Sequence, residues 1–218
     1  TSHIARQSLE EVKNAIEKEK PDVVALELDE KRLYALMSAK KAKISFYSIK
    51  RIGFKGFVFS LIGAWAERKL GEIAGVSPGS EMRKAIMLAK KNNIKIALID
   101  QDIEITLKRF SKSLSWREKW NFFADLFKAF VLRKNEIEFD LSTVPDDKVI
   151  KKLINKVKER YPNVYKVLVE ERNIVMANNL SRLMEENKDK KIVAIIGAGH
   201  EKEIIEMVKK PEISYSFS

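Results

Sequence analysis

Ile192-Val193-Ala194-Ile195-Ile196-Gly197-Ala198-Gly199-His200 is the stretch that decides the fold. Five uninterrupted apolar residues read as a strand buried on both faces. Glycines come next, then a histidine, then the helical pattern of Glu201 to Val208. A buried strand that passes through glycine into a helix is the repeating unit of a parallel sheet covered by helices.

The same unit recurs upstream. Val23-Val24-Ala25-Leu26 closes in Glu27-Leu28-Asp29 and yields to a helix from Lys31 to Ala39. Ile94 to Ile99 closes in Asp100-Gln101-Asp102 and yields to a helix from Ile103 to Phe110. Ser8-Leu9-Glu10-Glu11 reads as a capping box that opens a helix ended by Pro21. Ser77-Pro78-Gly79-Ser80-Glu81 launches another, which runs to Lys91.

The expected fold is α/β: a mainly parallel central sheet flanked by helices, with helical insertions, in one domain over residues 1–218. Residues 45–74 and 111–186 read as the largely helical additions. The first is rich in Phe and Gly and carries Lys50, Arg51, Lys55 and Arg68. It reads as a buried hairpin, or else as a homodimer face or an element lying on an anionic membrane surface. The second holds an aromatic amphipathic run over 116–132, a polar break over 136–146, a helix over 147–160 and a long helix over 164–186.

Composition narrows the chemistry. The chain has 218 residues, 45% of them hydrophobic, enough for a proper core. With no cysteine, disulfides, thiolate zinc sites and cysteine catalysis are excluded. The formal charge of +11 attracts anions. Its lysines are spread in short pairs such as Lys90-Lys91, Lys151-Lys152 and Lys190-Lys191, which reads as solvated helix faces; nucleic acid is not an expected partner. Neither a signal peptide nor a long uncharged apolar run is visible. The opening Thr1-Ser2-His3, without methionine, reads as a fragment of something longer.

In open α/β sheets, ligands gather beyond the carboxyl ends of the strands. Glu27, Asp29, Asp100 and Asp102 fall there, and so does His200. His3 is placed by the same reading after a strand that precedes the chain. Each residue has a plain structural role open to it. A histidine can hydrogen-bond, the aspartates can cap helices, and Glu27 can pair with a buried arginine. Together they suit a divalent ion, because neutral imidazole gives a lone pair and carboxylate offsets charge. His3, Glu27 and His200 are the expected ligand set, and Mn, Co or Zn the expected ion. Glu81 or Glu171 could then act on protons, while Arg109 and Arg172 could neutralise a substrate carboxylate or an oxyanion. Gly197-Ala198-Gly199 lacks the further glycine of a dinucleotide fingerprint, so no nucleotide is expected.

On these residues the sequence resembles the TraB/PrgY/gumN family, over most of its length. Thr1-Ser2-His3 is similar to the end of the opening Gly-Thr-x-His motif. Pro21 to Asp29 followed by Arg32, and Pro78-Gly79-Ser80-Glu81-Met82, resemble two further motifs. So do Asp100-Gln101-Asp102-Ile103 with Thr106-Leu107-Lys108-Arg109, Glu171-Arg172-Asn173 with Met176-Ala177, and the closing Gly197-Ala198-Gly199-His200. Gln101 stands where the family often has Arg. The resemblance implies kinship with Tiki proteins, described as metal-dependent proteases that use two Gly-x-x-His motifs and a glutamate. It therefore implies that His3, His200 and Glu27 are metal ligands or catalytic residues. It implies a link to shutting down peptide-pheromone signalling, and a peptide or protein substrate. It also implies an archaeal, membrane-associated parent protein, this chain being its soluble, cytoplasmic domain. A module that binds a peptide signal without cleaving it is the competing expectation.

Overall fold

Three four-residue strands, β1 (Val23–Leu26), β2 (Lys95–Leu98) and β3 (Ile192–Ile195), pair in parallel in the order β2-β1-β3. The computed structural model that shows them describes residues 2–38, 79–118, 120, 121, 124, 155 and 157–210, with backbone alone for 2–6 and 111. Val23 stands opposite Lys95 on one side and Ile192 on the other, and Leu26 opposite Leu98 and Ile195. All three carboxyl ends therefore reach the same edge. The chain leaves β1 toward β2, then crosses back beyond β1 to β3. That reversal puts the switch point of the sheet at the carboxyl ends of β1 and β3, where open parallel sheets take their ligands.

The apolar run of β1 reflects its position. All four of its residues are fully buried, because helices cover both faces of the middle strand. On one face Val24 and Leu26 pack with Val12 and Ile16 of α1 (Ser2–Glu19) and with Ala85, Ile86, Leu88 and Ala89 of α3 (Ser80–Lys91). Leu33 and Leu36 of α2 (Glu30–Met37) join that layer. On the other face Ala25 clusters with Met176 and Ala177 of α6 (Glu171–Glu186) and with Ile204 of α7 (Ala198–Lys209). Each fully buried Ile or Leu side chain contributes about 1.5–3 kcal/mol of transfer free energy. This is the α/β arrangement read from the strand patterns.

The chain forms two compact units. The sheet belongs to the unit made of Leu9–Ala42, Gly79–Ile103 and Val169–Ser218. The other comprises Thr1–Ser8, Lys43–Pro78 and Glu104–Leu168. It holds most of α4 (Ile103–Ser113) and all of α5 (Pro162–Tyr165). There Ser115 opens a helical run through a capping box: the Glu118 N–H donates to Ser115 Oγ, while Glu118 Oε2 accepts from the N–H of Ser115. Glu118 Oε1 also accepts from the N–H of Asn163 at 2.7 Å, so one carboxylate, 1% exposed, caps two helix starts. Burial pushes that carboxyl up, but bonds from Asn163 and Ser115 outweigh it and hold the pKa below its ordinary value.

Some local readings need correction. Helix α1 begins at Ser2 and runs straight through Ser8, so the Ser8–Glu11 capping box does not start it. Ala5, Arg6 and Gln7 are good helix formers and carry the helix back past that serine. His3 accordingly sits in the first turn of α1. The helix expected over 164–186 is interrupted by a π turn at Lys166–Glu170. Its final part, α6, packs directly on the sheet. Helix α1 does end at Glu19, with Lys20 in the left-handed region (φ 45°) ahead of Pro21. Proline disfavours a right-handed helical residue before it. The readings for residues 45–74, the polar break over 136–146 and most of 116–132 and 147–160 lie outside the described residues. Among the described residues, no helix is long and apolar enough to cross a membrane.

Candidate functional site

Asp100, the first acidic residue after β2, organises a cluster of charged side chains at this edge. Its side chain has no exposed surface and lies between two guanidinium groups. Arg172 grips it with both prongs: Nε donates to Oδ1 at 3.1 Å and Nη2 to Oδ2 at 2.5 Å. Arg32 Nη2 donates to the same Oδ2 and also to the Gln101 carbonyl at 3.2 Å. Burial alone would raise the Asp100 pKa, but bonds and charge from Arg172 and Arg32 outweigh burial and lower it. Burial likewise works against a charged Arg172, yet Asp100 and Glu27 raise its pKa further.

The arginines are themselves held in place. Arg32 Nε donates to Asp29 Oδ2 at 2.6 Å, and Asp29 caps α2 by accepting from the N–H groups of Lys31 and Arg32. The N–H of Ile103, at the start of α4, donates to Asp29 Oδ2 at 3.2 Å. Asp29 thus caps α2 and also accepts from the first residue of α4. Arg172 occupies the first turn of α6, directly after the π turn. A π turn takes one residue more than an α turn, so it rotates α6 by about 100° against an unbroken helix. The same helix is anchored to the end of β2 where Asn179 Nδ2 donates to the Ile99 carbonyl at 2.9 Å.

Glu27 and His200 complete the cluster. Arg172 Nη2 donates to Glu27 Oε1 at 2.6 Å, while the Gly197 N–H donates to Oε2 at 2.7 Å. His200 lies in the first turn of α7, whose cap residue is Gly197. Its Nδ1 is 2.6 Å from Asn173 Oδ1, and Asn173 Nδ2 donates to Glu203 Oε2. Because Asn173 presents its oxygen, Nδ1 must carry the proton. Nε2 of a neutral His200 therefore keeps its lone pair. It faces Arg172 Nη1 at 3.4 Å and Glu27 Oε1 at 3.5 Å. Burial is the main cause that holds the imidazole pKa below its ordinary value; Glu27 opposes it and Arg172 reinforces it. Asn173 is fully buried.

The cluster brings Glu27, Arg172 and His200 together, three of the residues singled out in the sequence. The pairing of Glu27 with a buried arginine, one of the plain structural roles open to it, is present as well. Glu81 lies in the first turn of α3 and Glu171 directly precedes Arg172. Arg109 is exposed on α4, in the other unit. The His3 side chain lies outside the described residues. Asn173 and Glu203 were missed. The signal for Asn173 was its position next to Arg172, and for Glu203 the i+3 spacing from His200, which puts both on one helix face.

Two observations bear on a metal ion. Nε2 of His200 and Oε1 of Glu27, 3.5 Å apart, match the edge of a tetrahedron with metal–ligand bonds of about 2.1 Å. Asp29, Glu27 and Asp100 also outnumber Arg32 and Arg172, so the cluster favours added positive charge. The pair fits two ligand positions, and among the described residues no group of three or more His, Asp or Glu could hold a metal. Any further His, Asp or Glu ligand would lie outside the described residues, and other positions could be taken by water or backbone carbonyl. Arg172 holds one of the two donor atoms, so an ion would have to share or displace that contact.

The model of the TraB/PrgY/gumN family matches residues 1–216. The chain is also 38% identical over 215 residues to an uncharacterized protein of Methanocaldococcus jannaschii, a match covering 97% of this chain and 53% of that protein. The chain thus spans about half the length of the curated relative it matches.

Proposed function

The chain belongs to the TraB/PrgY/gumN family, and on that premise we propose that it is the hydrolytic domain of a metal-dependent enzyme that cleaves a peptide or protein. The observation that carries this reading is the Glu27–His200 pair, with its 3.5 Å separation and a histidine tautomer fixed by Asn173. His200 Nε2 is the atom able to bind an ion or to accept a proton from water. Asn173 and Glu203 hold the ring so that this lone pair stays directed at Glu27. Arg172 supplies fixed positive charge beside the pair, suited to a developing oxyanion on an amide carbonyl. A divalent ion would be held by His200 and Glu27, with His3 supplying the remaining imidazole, and would contribute Lewis-acid activation of water and of the scissile carbonyl. The family's association with peptide pheromones makes short signalling peptides the first substrates to screen.

Elemental analysis of the purified chain, after dialysis against Mn, Co and Zn, tests this. The expected result is a stoichiometric ion in the parent chain, lost in His200→Ala and His3→Ala variants that remain folded. Absence of a bound ion in the parent chain would overturn the metal-dependent reading.

One observation favours a second reading. The guanidinium of Arg172 already pairs with both Glu27 and Asp100, so the Glu27 oxygen nearest His200 is engaged without an ion. A carboxylate already held in that way suits a module that binds a peptide signal without cleaving it. Such a module keeps peptide affinity in a folded His200→Ala variant and shows no turnover in either protein.

A further inference from the structure

We propose that the helix face carrying Trp116 and Trp120 docks on an anionic lipid surface. The two indoles are 76% and 71% exposed. Their i, i+4 spacing, in a run that is helical at 116–118, 120 and 121, puts them on one face. Glu118, two residues from each, points about 200° round the helix from both. That inner side is already satisfied: Glu118 is buried and takes hydrogen bonds from Ser115 and Asn163, and Asn121 Nδ2 donates to the Arg160 carbonyl at 3.1 Å. The tryptophans therefore stand on the outward face of an anchored helix.

The surroundings select the partner. Lys112, Arg117, Lys158, Arg160 and Lys166 are exposed in this unit, and Glu159 is the exposed acidic side chain among its described residues. Indoles settle at the depth of lipid headgroups, where the ring is apolar on its faces and its N–H stays wet. Exposed lysine and arginine in the same unit add attraction to anionic headgroups. A second copy of the chain is disfavoured as occupant, because each copy carries a formal +11.

The test is co-sedimentation of the chain with vesicles of phosphatidylcholine alone or mixed with phosphatidylglycerol. Trp116→Ala/Trp120→Ala is compared with the parent chain, after circular dichroism shows both folded. The expected result is partition onto the anionic vesicles that weakens with salt, since the screening length falls from about 10 Å at 0.1 M to about 3 Å at 1 M. The double variant is expected to partition at least about tenfold less. The proposal is overturned if the parent chain does not sediment with anionic vesicles, or if the double variant sediments equally well. It is also overturned if the substitutions abolish a dimer seen by analytical ultracentrifugation and leave vesicle binding unchanged.

Discussion

Gly197 donates its N–H to one oxygen of Glu27, while the other oxygen of the same carboxylate faces Nε2 of His200 at 3.5 Å. A Cβ at Gly197 would come within 3.2 Å of Glu27 Oε2, whereas one at Gly199 would meet nothing within 4 Å. Gly197→Ala should therefore push Glu27 aside and weaken metal binding and peptide turnover by about tenfold, the usual size of such perturbations at a site. Gly199→Ala lies within α7 and should stabilise the fold by about 0.5–1 kcal/mol. Paired urea titrations and metal affinities separate the two effects.

Arg172→Ala leaves Asp100 and Glu27 without their shared cation. Breaking a buried ion cluster from one side costs about 3–5 kcal/mol. The expected loss of stability is of that order, measured by urea unfolding. Arg172→Lys should recover part of it, because a point charge can meet Asp100 but cannot reproduce the two-pronged grip. Equal stability of Arg172→Ala and the parent chain would contradict the role given to this cluster.

Asn173→Ala removes the acceptor that keeps the proton on Nδ1 of His200. In the parent chain, nitrogen shifts of the imidazole should report a single Nδ1–H tautomer. In the variant they should report a mixture, and turnover should fall about 10–100-fold, as when a ligand's supporting contact is lost. Glu203→Gln should shift the tautomer less, since its amide can still accept from Asn173 through its oxygen.

Acid stability depends on Asp100 and Glu118, whose folded pKa values are both depressed. Between the folded value and the ordinary carboxyl value of about 4, the unfolded chain binds more protons, so stability rises with pH there. Their contribution is fully present above the ordinary value and is lost as pH falls through the folded one. Asp100→Asn and Glu118→Gln should each flatten the pH dependence of the urea midpoint in that acid window. They should leave its slope near neutrality unchanged.

Much of the fold was legible because Val23–Leu26 and Ile192–Ile195 are apolar without alternation, the pattern of a parallel sheet covered by helices. Only β1 is fully buried, whereas β3, read as buried on both faces, is partly exposed along its length because, among the described strands, it pairs on one side alone. The acidic residues and His200 were legible for a related reason, since they come just after strand ends at one edge. The features hidden from the sequence depend on packing. The start of α1 could not be read from Ser8, because a capping pattern inside strong helix formers carries no boundary. The π turn before Arg172 has no residue signature, yet it sets which way Arg172 and Asn173 face. The capping box at Ser115 and Glu118 was readable by its spacing, but the second helix that Glu118 caps starts at a residue distant in the chain.

Hydrolysis at the Glu27–His200 pair is the central claim, and mass spectrometry of a defined peptide mixture incubated with the chain tests it most directly. The incubations contain Mn, Co or Zn, with folded His200→Ala and Glu27→Gln variants alongside. The account predicts new peptide termini with the parent chain, abolished by a chelator and by either substitution. An intact mixture under every ion, or cleavage that persists in both variants, would contradict it.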